Sequence, residues 1–349
     1  MSFKILNQDT DVVTQASIVT SGVFQDGASK ITTFFTSTVQ SGSTGDYSLD
    51  VYRFNPASNA SASVQFGIAY GHYEGSGSLG GVGVVGERPT AAVYNQFNNL
   101  INPPQTQKFK FGAVEADDIF VLSFNRARVR QDLEPGGWEI HLSASAGTAT
   151  KIKLIDDSSQ TPGGNTNQRN FAPEYTVVSG SLVGGTTIKA TTAADAASGS
   201  YGAFYPSLGV IVFNAFRLGT GGIGTAKVIS SHSGSFGSND LGGFNVTFFN
   251  SIKTGKYFQA KRSEEISSTH YFVRATANEF NFTTNETYYT ESVSGVKRII
   301  PGLRTDPKTY ITTVGMYNSD DELLAIAKLS KPIIKSKSRE ALIKVKLDF

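Results

Sequence analysis

Tyr310-Ile-Thr-Thr-Val-Gly-Met-Tyr317, Asn318-Ser-Asp-Asp321 and Glu322-Leu-Leu-Ala-Ile-Ala-Lys-Leu-Ser-Lys-Pro332 follow one another near the C-terminus. Two apolar runs flank a short polar turn, which is a β-hairpin signal. After a basic stretch, Leu342, Lys344, Lys346 and Asp348 alternate with Ile343, Val345, Leu347 and Phe349. That period of two predicts a half-buried strand. An aromatic residue at the end of it predicts a docked terminus, because loose termini are usually polar.

The whole chain reads the same way. Its 349 residues are long enough to bury real cores, and hydrophobic residues at 39%, with 24 Phe and 14 Tyr, exclude wholesale disorder. Only 17% of residues are charged, and Ser, Thr, Asn and Gly fill the deficit, which suits β-sheets with many turns. The net charge of +2 is too small to imply nucleic acid or an acidic membrane as partner. With no Cys, disulfides, thiol catalysis and thiolate metal sites are excluded. No run approaches the roughly 18 apolar residues that a spanning helix needs. The N-terminus has no signal-peptide pattern, so synthesis in a cytoplasm is expected.

The predicted fold is mainly β, with two or more antiparallel β-sandwich-like domains and one short helix near residues 89–101. Residues 1–143 read as an N-terminal β domain. Its strands fall at Tyr47–Phe54, Ala62–Tyr70, Asp118–Phe124 and Trp138–Leu142. Its helix starts near Pro89, presents Val93, Phe97 and Leu100 on one face, and ends at Asn102-Pro103-Pro104. Residues 144–240 read as a Gly/Ser/Thr-rich β insertion or second β domain, with strands at Lys151–Ile155, Glu174–Val178 and Gly209–Phe216. Residues 241–349 read as a C-terminal β domain. Its strands fall at Phe244–Phe249, Thr269–Thr276 and Glu286–Glu291, before the hairpin and terminal strand.

Four blocks carry a family resemblance. They are Phe124-Asn-Arg-Ala-Arg128 with Pro135-Gly-Gly-Trp-Glu139, Tyr201-Gly-Ala-Phe-Tyr-Pro-Ser-Leu-Gly-Val-Ile-Val212, Ala260 to Arg274, and the C-terminal stretch. Together they span most of the chain, which resembles a tail-associated virion structural protein of T-even-like and large marine contractile-tailed bacteriophages. The resemblance implies a non-enzymatic virion subunit of the tail, most of all of the baseplate, whose partners are other tail or baseplate proteins in a symmetric multi-copy assembly. Other roles compatible with the composition are host recognition or tail-fibre attachment, capsid decoration or a neck position, and envelope polysaccharide hydrolysis.

Candidate chemistry is sparse. Gly75-Ser-Gly-Ser-Leu-Gly80 and Gly81-Val-Gly-Val-Val-Gly86 fit a dinucleotide fingerprint. The first does not open the helix, and neither is followed by an acidic residue about twenty positions on. His72, His141, His232 and His270 show no metal-ligand spacing. Asn318-Ser-Asp-Asp-Glu322 lacks the alternating ligands and central Gly of a calcium loop, and a hairpin turn explains it. No catalytic residue, cofactor or metal is predicted. Lys328 to Lys346 holds seven basic residues and one acid, which on strands would guard an edge or meet an acidic partner. Arg126, Arg128 and Arg130, read as one strand face, need carboxylates such as Asp132, Glu134 or Glu139, or a neighbour's. The candidate interface residues are therefore Arg126, Arg128, Lys335, Lys337, Lys344, Lys346 and Phe349.

Overall fold

A computed structural model describes residues 3–36, 48–73, 89–102, 108–143, 151–164, 173–190, 199–219 and 243–348. The chain is mainly β, in several antiparallel sheets, with six α-helices among the described residues. In chain order the first strands are β1 (Val12–Gly22), β2 (Lys30–Ile31), β3 (Phe35–Thr36), β4 (Ser48–Tyr52), β5 (Val64–His72), β6 (Phe109–Phe111), β7 (Val114–Ala116) and β8 (Asp118–Phe124). There follow β9 (Asp132–Leu133), β10 (Glu139–Ser143), β11 (Lys151–Asp156), β12 (Tyr175–Ser181), β13 (Thr187–Ile188), β14 (Gly202–Tyr205), β15 (Val210–Asn214) and β16 (Phe258–Gln259). The last are β17 (Lys261–Ala275), β18 (Tyr289–Glu291), β19 (Lys297–Ile299), β20 (Lys308–Tyr317), β21 (Leu323–Ser336) and β22 (Ala341–Asp348). No helix among the described residues is long and apolar enough to cross a membrane.

Two compact units form: a central one, 19–264, and a terminal one made of 1–18 with 265–349. The central unit holds a 12-stranded sheet in the order β2-β16-β10-β11-β12-β14-β15-β8-β5-β4-β3, with β13 paired to β12. It draws strands from all three of the segments 1–143, 144–240 and 241–349. Six strands separate β16 from β5 in this order, yet the Phe258 and Phe66 rings are 5.2 Å apart. In a flat sheet they would lie over about 30 Å apart. The sheet therefore curls back on itself as a half-barrel, and Phe24, Phe66, Phe124 and Phe258 close its interior.

A helix covers each face. On the inner face Phe120, Leu122, Ile211 and Phe213 pack with Phe244, Phe248, Phe249 and Ile252 of the helix Gly243–Gly255. Phe248 stacks on Phe120 at 4.7 Å. On the outer face Ile119, Val121, Val210 and Val212 pack with Tyr94 and Ile101 of the helix Pro89–Ile101, and with Phe109 and Phe111. Burial on both faces is why β8 and β15 read as continuous apolar runs rather than alternating ones.

Three expectations are corrected. Phe244–Phe249, expected as a strand, begins the helix Gly243–Gly255. Its buried residues Phe244, Phe248, Phe249 and Ile252 follow the helical period, which a six-residue window of aromatic and β-branched residues cannot reveal. Arg126–Arg130, expected as a strand, holds a short helix, Arg126–Val129, with Arg130 in the left-handed region (φ 60). The Asn125 side chain accepts from the Ala127 N–H at 3.1 Å and caps the turn, a local bond that competes with strand formation. The helix at Pro89–Ile101 stands as expected, but its buried face is Ala91, Tyr94, Asn98 and Ile101, and Leu100 is exposed. Tyr94 turns that face inward because its hydroxyl donates to the Ala116 carbonyl (2.7 Å) and accepts from the Phe109 N–H (2.8 Å). Gly71 permits the approach: a Cβ there would lie 2.8 Å from the Tyr94 backbone nitrogen.

In the terminal unit β22 pairs with β17, Ala341 opposite Ala275 through Asp348 opposite Ser268, in a sheet ordered β1-β17-β22. β18 and β19 form a small hairpin, and β20 and β21 form a long two-stranded ribbon.

Candidate docking surface

The ribbon β20–β21 begins with the predicted hairpin. At its turn Asn318 Oδ1 accepts from the backbone N–H groups of Asp320 (3.0 Å) and Glu322 (2.8 Å). Asp321 takes a left-handed conformation (φ 63), which Asp tolerates better than most residues. The Asn and Asp thus have turn roles. The strands run 10 and 14 residues with register irregularities at Ile311/Thr313 and Met316/Tyr317. Among the described residues no other strand pairs with either, and β21 makes one isolated bridge besides, Ser336 to Arg339.

This ribbon leaves much apolar surface in water. Tyr310 is 62% exposed, Leu324 65% and Ile326 61%, and Tyr317, Leu323 and Ile334 are also exposed. No described residue of the terminal unit belongs to either large apolar cluster. A lone hairpin is marginal in water, and contiguous exposed apolar surface marks an interaction site.

The base of the ribbon is fixed by polar bonds instead. Lys335 is fully buried, and its ammonium donates to the Ala277 carbonyl (3.0 Å), Asn281 Oδ1 (2.9 Å) and the Ser336 carbonyl (2.9 Å). Thr309 Oγ1 donates to the Phe280 carbonyl at 2.6 Å. Lys335, expected at an interface, is instead an internal tie between β21 and the 277–281 turn.

The other candidates separate. On β22 the expected alternation holds for Ala341–Asp348: Ile343 and Val345 are buried, Lys344 and Lys346 exposed. Lys344 lies 5.7 Å from the Phe272 ring centroid, and Lys346 pairs with Asp348 at 2.9 Å. Hydrogen bonds from Ser268 and Lys346 hold the Asp348 carboxyl below its ordinary range. Arg274 pairs with Glu340 at 2.8 Å and lowers that carboxyl too. Lys337 is exposed, and Phe349 lies outside the described residues. Arg126 and Arg128 belong to the central unit and serve its own backbone. Arg126 donates to the Ser207 carbonyl (2.7 Å), and Arg128 to the Val64 carbonyl (3.1 Å) and to Ser63 Oγ. Of the three arginines, Arg130 finds a carboxylate, Glu264 at 3.1 Å, which the sequence reading did not pair with it. The predicted interface set is thus not one patch.

The central unit buries two ionisable groups of residues. Glu139 accepts from the Leu182 N–H (2.7 Å) and Ser181 Oγ (3.1 Å), and its carboxylate lies 2.5 Å from His141 Nε2. Burial favours the neutral acid, but these hydrogen bonds outweigh it and hold Glu139 below its ordinary range. For His141, by contrast, burial disfavours the charged imidazole and lowers its pKa; the ring stacks on Tyr257 at 4.3 Å. A nucleophilic triad needs serine to donate to histidine; here Ser181 and the imidazole both serve the carboxylate, so the cluster ties β10 to the loop after β12. In the second group Tyr70 donates to Asp118 Oδ1 at 2.5 Å, with His72 Nε2 3.5 Å away from the same oxygen. Burial and Asp118 raise the Tyr70 phenol, which keeps it a neutral donor. Among the described residues no cluster of His, Asp or Glu could hold a metal ion. The glycine-rich segment 75–86 lies outside the described residues. No protein-family model, curated protein or solved structure matches the chain.

Proposed function

We propose that this chain is a non-enzymatic structural subunit of the tail of a contractile-tailed bacteriophage, placed at the baseplate, where it docks neighbouring subunits. It would be made in the host cytoplasm and reside in the virion. The observation that carries the reading is the β20–β21 ribbon: two long strands that no other strand among the described residues pairs with, and outward Tyr310, Leu324 and Ile326. Such a surface suits strand addition and sheet contacts in a repeating assembly. Many weak copies of one contact become collectively stable when they act together. The resemblance of the four sequence blocks supplies the tail and the baseplate.

Cryo-EM of intact virions of the encoding phage tests this reading. Density for the chain at the baseplate, with the ribbon against a neighbouring subunit, is the expected result. Density on the capsid or at a distal fibre tip would overturn the baseplate position. Absence of the chain from purified virions would overturn the virion role itself.

A further inference from the structure

Lys335 carries an amine into a site built around a carboxamide. It is fully buried, and its acceptors, the Ala277 and Ser336 carbonyls and Asn281 Oδ1, are all neutral oxygens. A buried charge is ordinarily paired with an opposite one. The Asn281 carboxamide is held from its other end as well. Its Nδ2 donates to the Ala277 carbonyl at 2.7 Å, the same oxygen that Lys335 Nζ reaches at 3.0 Å. The nucleophile and the leaving group of an amide exchange thus meet on one acceptor. The carboxamide carbon lies one C=O bond of about 1.2 Å beyond Oδ1. With Nζ 2.9 Å from that oxygen, the amine stands within about 4 Å of the carbon. The backbone around Asn281 is fixed too. Phe280 takes a left-handed conformation (φ 51), rare for a bulky residue, and its carbonyl accepts from Thr309 Oγ1. The Tyr288 hydroxyl donates to the Asn281 carbonyl at 3.2 Å. Backbone strain of this kind collects at functional sites.

We propose that Lys335 and Asn281 join in an isopeptide bond within the chain. Nζ passes from the plane of the carboxamide to its face, a swing that the flexible lysine stem allows, and attacks Cγ. The Nζ–Cγ bond forms and the Cγ–Nδ2 bond breaks. Two of the ammonium protons pass to Nδ2, which leaves as ammonium. Atoms and charge balance with no oxidant, reductant or further reactant. The product is a neutral amide, so the reaction takes a cation out of the interior. Holding the two groups together converts a slow encounter between amine and amide into a step within one molecule. The hydrogen-bonded arrangement described above is the state from which the bond forms. The bond joins residues 54 positions apart and closes that loop covalently, fixing the ribbon base to the 277–281 turn. This inference goes beyond the docking role proposed above and does not rest on it.

Intact-mass spectrometry of the full chain tests the bond, on protein kept folded at mildly alkaline pH for several days. The expected result is a mass below that of the sequence by one ammonia, about 17 Da. Tandem spectra of a tryptic digest should then show a branched peptide that joins Lys335 to Asn281. Ring closure of Asn281 on its own backbone would give the same mass loss, but it makes no branched peptide and survives K335R. Both K335R and N281A should keep the full mass, and circular dichroism checks that each is folded. Wild-type chain held in urea should keep its full mass as well, because only the fold brings the two residues together. A folded wild-type chain that keeps its full mass would overturn the inference, even if neither variant folds. So would a mass loss without the branched peptide, or the same loss in urea.

Discussion

In the central unit β8 turns Phe120 and Leu122 to one side and Ile119 and Val121 to the other, and all four are buried. In the terminal unit β21 turns Leu324 and Ile326 outward, and even the opposite side is only half-buried at Ala325 and Ala327. Both strands are apolar and both are antiparallel. The difference lies in what the fold lays over them. The half-barrel has a helix on each face and aromatic rings from its two ends meeting inside. Among the described residues the ribbon pairs with no further strand, and none of its residues belongs to either large apolar cluster. Apolar content in a strand therefore predicts burial only where a covering layer exists, and where none does it points to a partner.

The sharpest way to break this comparison is to remove one ring from the half-barrel. Phe258 touches Phe24, Phe66 and Phe124 at 5.4, 5.2 and 5.6 Å and is fully buried. Phe258→Ala should cost about 3–5 kcal/mol, because the rings that close the curl lose their shared contact. Ile326→Ala, measured by denaturant titration at a concentration where the chain is monomeric, should stay within about 0.5 kcal/mol. Similar costs for the two would mean that the ribbon has a buried face within the single chain.

The same contrast explains what the sequence made legible. The hairpin was visible because its turn is local: Asn318 bonds Asp320 and Glu322, and the chemistry fits in five residues. The terminal strand was visible because one buried side beside one wet side gives a period of two. The helix Gly243–Gly255 was missed because its apolar residues include an adjacent Phe pair, which matches a strand as well as a helix over a short window. The buried role of Lys335 could not be read at all. Its three acceptors come from residues 277, 281 and 336, and only the fold brings the first two near it. The arginines at 126, 128 and 130 show the converse: a regular spacing suggested a shared face, and one local cap at Asn125 removed it.

Lys335 offers a second, smaller test. The described residues of the terminal unit form no large apolar cluster, so polar ties at the ribbon base should matter more there. Lys335→Met keeps much of the stem but leaves the Ala277 carbonyl and Asn281 Oδ1 without this donor. The loss should be about 1–3 kcal/mol. Hydrogen exchange should show it as faster opening of β20–β21, with β8 and β15 unchanged. If β8 and β15 open equally, the two units are one cooperative block, and the contrast between them fails as an account of stability.

The smallest effect belongs to the N-terminal segment of the terminal unit. Lys4 donates to Glu279 at 2.7 Å, and the Thr276 N–H donates to the same carboxylate at 3.0 Å. The lysine bond foremost, and then the backbone bond, lower the Glu279 pKa from 4.5 to about 2. Because the folded state favours the charged carboxylate, its contribution to stability is present above the ordinary value and is lost as pH falls through about 2. The pair is exposed, so its stability effect is small and screened by salt. Its titration is the more sensitive readout. In Lys4→Ala the Glu279 side-chain carbon, followed by NMR against pH, should titrate higher, back toward the ordinary range, with the Thr276 bond retaining part of the depression. An unchanged midpoint would show that the Thr276 turn alone sets the carboxylate, and that Lys4 does not tie the first residues of the chain to the 276–279 turn in solution.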